Sequence, residues 1–270
     1  MSSSGRIRAL LGKDLADLRK NPSVFGAAVF TGLMAILLPF FVAVIIPALT
    51  GERLAESNEV ETALELYRDS PELVGLSAEA AAQALIFQQF VIMLVMTPVA
   101  ASMSVAAYSV IGEKQARTLE PLLATPITTF ELLSAKVLAS VIPALALTFA
   151  SFGLYVGGAA LFAQPGVAAA LLEPRSLMIV FLVGPLAALA ALQLAVCVSS
   201  RVNDPRSAQQ IGALIILPIA GLLIAQVMGS LLLTGTIILL MAVGLAIVNA
   251  ALMALGIALF DRESILTRWK

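Results

Sequence analysis

The chain has 270 residues, of which 60% are apolar and 12% charged, with a net charge of −1 and a mean hydropathy of +1.00. Soluble domains are typically ~45–50% apolar and ~25% charged, so this composition points to lipid and excludes a cytosolic globular enzyme, a disordered tail and a secreted disulfide scaffold. The near-zero charge excludes a polybasic nucleic-acid binder; the lack of histidine excludes His-metal, Ser-His and haem-His sites, the lone cysteine, Cys197, cannot form an internal disulfide or a thiolate cluster, and no plausible nucleophile–base pair is present.

The first element is a basic amphipathic helix over 5–20. Ile7, Leu10, Leu11, Leu15 and Leu18 recur at helical spacing, while Arg6, Lys13, Asp17 and Lys20 fall mainly elsewhere. Such a helix lies in the membrane interface, with Arg6, Lys13, Arg19 and Lys20 toward anionic headgroups. Asn21-Pro22 ends it and turns the chain into the bilayer.

A helix of about 20 apolar residues crosses the ~30 Å hydrocarbon core. Stretches free of Asp, Glu, Lys and Arg cover 21–51, 80–112, 137–172, 176–200 and 207–260. The first is too long for a signal-peptide core and reads as an uncleaved anchor. The last fits two crossings, divided where Gly229, Ser230, Thr234, Gly235 and Thr236 cluster. The expectation is an all-α membrane protein, one domain over 1–270, with six spans near 24–48, 84–111, 137–163, 176–199, 207–227 and 237–260. All sixteen lysines and arginines except Arg53, Arg68 and Arg175 fall on one side of this arrangement, which places both termini in the cytoplasm. Prolines 39, 47, 98, 143, 185 and 218 are expected to kink their spans, either as ordinary features of membrane helices or as hinges.

Between spans, the loop 52–83 is acidic. Val60, Leu64 and Tyr67 suggest a short helix, and Ser77 with Glu79 caps the second span. The loop after span two reads Glu113-Lys114-Gln115-Ala116-Arg117-Thr118-Leu119-Glu120-Pro121-Leu122-Leu123-Ala124-Thr125-Pro126-Ile127. Thr118 caps a short helix, Thr125-Pro126 stops it, and Thr128-Thr129-Phe130-Glu131 is a capping box for the next helix. Leu119, Leu122 and Leu123 on that short helix call for a partner surface or the bilayer interface. At the C-terminal end Trp269 is placed to anchor at the interface.

No charged residue lies within the spans, so the chain lacks the ionisable groups by which secondary transporters take up a driving ion. Gln88, Gln89, Gln193, Gln209, Gln210, Gln226 and Asn249 join helices or line a path, and Gly153 and Gly157 form a GxxxG that permits close packing. No GxxxxGK[ST] occurs, so the chain has no Walker-type ATP site.

Taken together, the basic entry helix ending in Arg19-Lys20-Asn21-Pro22, the loop 113–127 running into Glu131-Leu132-Leu133-Ser134-Ala135-Lys136, the six spans and the tail Phe260-Asp261-Arg262-Glu263 resemble the permease subunit of type 2 ABC exporters, the type V fold. The resemblance implies that the loop is a coupling helix docking into a separate ATPase. Glu113, Arg117, Leu119, Glu120, Leu122 and Leu123 would then transmit ATPase closure to the spans. It further implies two ATPase subunits that bind ATP and magnesium, a second permease, identical or homologous, and a pathway between the two permeases in a bacterial-type inner membrane. Few aromatics and no intramembrane carboxylate lean toward a lipophilic or amphipathic substrate. The competing readings are an ATP-independent secondary transporter or channel, and a membrane anchor subunit that transports nothing.

Overall fold

The computed structural model describes residues 3–21, 24, 26–67, 73–115, 128–199, 210, 214, 217–218, 221, 225 and 234–259. The described residues contain no strand. In chain order the helices are α1 (Ser3–Lys20), α2 (Gly26–Phe40), α3 (Ile46–Thr50), α4 (Asn58–Leu66), α5 (Ala78–Leu94), α6 (Met96–Gln115), α7 (Thr129–Phe162), α8 (Val167–Leu171), α9 (Pro174–Met178), α10 (Gly184–Ser199) and α11 (Gly235–Leu259). Two π-helical segments interrupt them, at Phe41–Ile45 and Ile179–Val183.

Five of the resulting helical runs are long and apolar enough to cross a membrane: Ala28–Thr50, Ala78–Val105, Ser134–Phe162, Pro174–Val198 and Gly235–Ile257. They correspond to expected spans one to four and six. The expected fifth span, 207–227, falls mostly outside the described residues. The second run begins at Ala78 rather than 84 because Ser77 caps it, its hydroxyl accepting the Ala80 N–H at 3.2 Å. The short helix expected around Val60 and Leu64 is α4, capped by Ser57. Span one ends at Gly51, whose φ of 75° lets its N–H turn back to the Pro47 carbonyl at 2.9 Å.

In span one residue size decides which face is buried. Along span one the buried stripe is Ala28, Gly32, Ala35, Pro39 and Ala43, whereas Phe30 is 64% exposed and Leu37 52%. In α10, Ala187, Ala188, Ala190, Ala191 and Ala195 are buried as well, together with Leu192 and Val196. In lipid, large apolar side chains lose nothing by facing outward, and small ones let helix backbones approach. A Cβ on Gly32 would sit 3.3 Å from both Ser151 Oγ and Thr97 Cγ2, and one on Gly158 only 2.7 Å from Phe40 Cζ. The expected GxxxG is therefore not the contact. Gly153 and Gly157 are exposed with open space around them, and the close approach is one residue further on. There Phe40 packs edge-on against Phe87 and Tyr155, at centroid separations of 4.9 and 6.0 Å.

Each π segment ends two residues before a proline, Pro47 and Pro185. Ile46 N–H donates to Phe41 O, and Gly184 N–H to Ile179 O, before the donor is lost. Widening the turn moves carbonyls away from the proline ring that would otherwise clash with them. The carbonyl of Ala43, four residues before Pro47, is met by Gln83 Nε2 at 3.1 Å. The same side chain's Oε1 accepts the Gln164 N–H at 2.8 Å, so one glutamine joins the ends of spans one, two and three. Other polar groups join helices likewise: Tyr155 OH to Phe87 O at 2.8 Å, Gln88 Nε2 to Ala170 O at 3.2 Å, and Gln193 Nε2 to Asn249 Oδ1 at 3.0 Å. Pro39 and Pro143, by contrast, lie within uninterrupted α-helix, and Pro98 follows the break between α5 and α6 at Val95.

These contacts rank substitutions. Gln83→Leu orphans a carbonyl and an N–H and should lower stability by about 1–3 kcal/mol. Gly158→Ala displaces Phe40 and should be destabilising by a similar ~1–3 kcal/mol, while Gly157→Ala is neutral or stabilising. Thermal unfolding of the purified variants in detergent measures the order; equal midpoints for the two glycine variants would contradict the packing described.

Candidate functional site

The site lies at the end of the bundle where α1 meets the first turns of α7, directly after the loop 113–127. Two faces of α1 meet different surroundings. Leu10 and Leu18 are buried, Leu10 in one apolar cluster with Leu132 and Ala135 of α7, and Ile7 packs beside them. Leu11 and Leu15 are only half-buried. The stripe expected to enter the interface as a whole is thus divided, because α7 takes up part of it.

Two ionic contacts lock this packing. Arg6 forks onto Glu131, with Nη2 to Oε1 at 2.7 Å and Nε to Oε2 at 3.2 Å. The planar guanidinium matches the carboxylate, and the paired geometry fixes orientation as well as distance. Glu131 is already held by the capping box: the Thr128 N–H donates to Glu131 Oε2 at 3.0 Å, and the Glu131 N–H to Thr128 Oγ1 at 3.2 Å. Its side chain is 4% exposed against 28% for Arg6. The Arg6 guanidinium, then the Ser3 hydroxyl and the Thr128 N–H, hold the Glu131 carboxyl down at about 2 against an ordinary 4.5. The same hydrogen bond raises Arg6 above its ordinary value.

Two turns along α1, Asp14 lies between Leu10 and Leu18 on the buried face. It is 3.9 Å from Lys136 Nζ, also buried, and 3.8 Å from Lys13 Nζ. A buried charge without a partner is strongly unfavourable, and Asp14 and Lys136 partner each other on the buried face. The two ion pairs make α1 and the entry of α7 one rigid unit. α1 ends at Lys20 as expected from Asn21-Pro22, with the Asn21 side chain bonded to the Asp17 carbonyl at 3.4 Å.

Of the residues expected to couple to a partner, Glu113 lies in the last turn of α6. Arg117, Leu119, Glu120, Leu122 and Leu123 lie outside the described residues, as does Trp269. Among the expected anchors, Arg6 is turned onto Glu131 and Lys13 toward Asp14, while Arg19 and Lys20 are exposed. Sequence reasoning passed over Asp14 and saw Glu131 only as a cap. The signal was available at Asp14, a charge at i+4 from Leu10 and i−4 from Leu18 inside an apolar stripe, which implies a buried counter-charge.

The architecture defines a multi-pass helical membrane protein with a polar strap at one end. Residues 75–239 match the family model described as ABC-2 family transporter protein, and the chain belongs to that family of transporter membrane components. The match begins after α1 and covers α7, so the strap ties a segment before the match to one within it. No curated protein and no solved structure matches the chain.

The ion pair sets a pH dependence. Because the folded carboxyl is depressed, its stabilisation is fully present above the ordinary value of 4.5 and is lost only as pH falls toward about 2. The gap in unfolding temperature between wild type and Glu131→Gln should therefore be flat from neutral pH down to that ordinary value and close below it. A gap that closes near neutrality would contradict the assignment.

Proposed function

We propose that the chain is the permease subunit of an ATP-driven exporter of type V fold, with six spans and both termini in the cytoplasm of a bacterial-type inner membrane. The substrate pathway forms between this permease and a second one, identical or homologous, and two ATPase subunits binding ATP and magnesium supply the energy. In this reading the loop after α6 is the coupling helix. Glu113, Arg117 and Glu120 make polar contacts to the ATPase, and Leu119, Leu122 and Leu123 fill its groove. Arg19 and Trp269 hold the chain's ends at the bilayer interface, and the cargo is lipophilic or amphipathic.

The observation that carries the reading is the family match, supported by the absence of a Walker motif from the sequence and by the strap on the residues that follow the loop in sequence. Motion passes along rigid elements better than through loose ones. A loop that enters α7 at a capped, doubly ion-paired turn delivers a push on its near end to α1 and span three together.

Affinity purification of the tagged chain from native membranes in mild detergent tests the proposal. The expected outcome is a stoichiometric ATPase that is lost from Leu122→Glu/Leu123→Glu, with that variant's unfolding temperature unchanged. A chain that purifies without an ATPase across several detergents and supports flux by itself would replace this reading with a secondary transporter or channel.

A further inference from the structure

The two exposed edges of α1 differ in chemistry. At 3.6 residues per turn, Arg8 and Arg19 fall about 20° apart on the helix and about 16 Å apart along it. Between them and the buried face lie the half-buried Leu11 and Leu15. Both arginines are exposed, and neither has an ion pair among the described residues. The other edge carries Arg6, Lys13, Asp17 and Lys20. There Arg6 is already on Glu131, Lys13 faces Asp14, and Asp17 is a competing negative charge.

We propose that the Arg8–Leu11–Leu15–Arg19 edge of α1 is a binding surface for anionic phospholipid, and that the Lys13–Lys20 edge is not. The inference rests on the reading that this end of the bundle faces the cytoplasm. Leucines left with apolar surface beside unpaired arginines match acyl chain beside phosphate: the aliphatic stems lie along the chains while the guanidinium groups reach the headgroups. The spacing of the arginines suits two separate lipid molecules. Because the opposite face of α1 is ion-paired to the entry of α7, the bound lipid bears on the unit that carries the loop.

The test uses the purified full-length chain without any ATPase, so failure of the exporter reading does not bear on it. Native mass spectrometry measures the retention and apparent affinity of phosphatidylglycerol against phosphatidylcholine. Each arginine near an anionic surface contributes about fivefold in affinity, so Arg8→Gln/Arg19→Gln should weaken phosphatidylglycerol binding about thirtyfold. Lys13→Gln/Lys20→Gln, which removes the same charge, should change it by less than about threefold, and Arg8→Lys/Arg19→Lys should restore most of the affinity. Unfolding temperatures in lipid-free detergent separate binding from folding, and Leu11→Ser/Leu15→Ser should weaken both lipids. Equal losses in the two glutamine doubles would reduce the effect to net charge and overturn the proposal. Phosphatidylglycerol binding retained in full by Arg8→Gln/Arg19→Gln would likewise overturn it.

Discussion

Lipid offers no hydrogen bonds and gives no reward for hiding large apolar side chains, and this structure follows from both facts. Span one buries a face of alanine and glycine, with Phe30, Leu33 and Leu37 turned outward, against a core that also holds Phe87, Leu94, Tyr155 and Leu192. Close backbone approach then supplies the packing that hydrophobic burial supplies in water. It also leaves little room for error, as the Phe40–Gly158 contact shows. The lack of hydrogen bonds from lipid explains the polar residues. Where Pro47 removes a donor, the chain widens into a π turn and a glutamine from the neighbouring helix meets the Ala43 carbonyl. Gln83, Gln88, Tyr155 and Asn249 act as fasteners between helices, each reaching a backbone carbonyl.

At the α1 end the fastening changes character. Beyond the apolar spans charges become available, and Arg6–Glu131 and Asp14–Lys136 do what amides do within the spans. The two modes suit their places. A neutral amide can sit among lipid-facing helices without the desolvation penalty of an ion, whereas a forked arginine–carboxylate pair holds a rigid orientation near water. Glu131 serves both as the cap of α7 and as the receptor for Arg6, so one carboxylate sets where the helix begins and what packs on it.

Much of the architecture was legible beforehand. Charge-free stretches located spans one to four and six, because only helices of that length satisfy their own backbone across a bilayer. Ser77, Thr128 and Asn21 marked helix ends through local hydrogen bonds that depend on a few adjacent residues. The site was less legible. The amphipathic pattern of α1 showed that one face is apolar but not what would cover it, and Leu10 went to α7 and Leu18 was buried while Leu11 and Leu15 stayed half-exposed. The GxxxG pattern named glycines that face open space, since a small residue permits close approach without specifying the side from which a neighbour comes.

The sequence by itself determined helix, span and cap, because hydropathy, proline and capping chemistry act within a few turns of chain. Only the tertiary structure decided which carbonyl Gln83 serves, which glycine meets an aromatic ring, and that Arg6 belongs to Glu131, 125 residues away. Those choices depend on how helices are rotated and placed against one another. A periodic pattern shared by many neighbouring rotations cannot select one, whereas a buried ion pair or a 2.7 Å contact can.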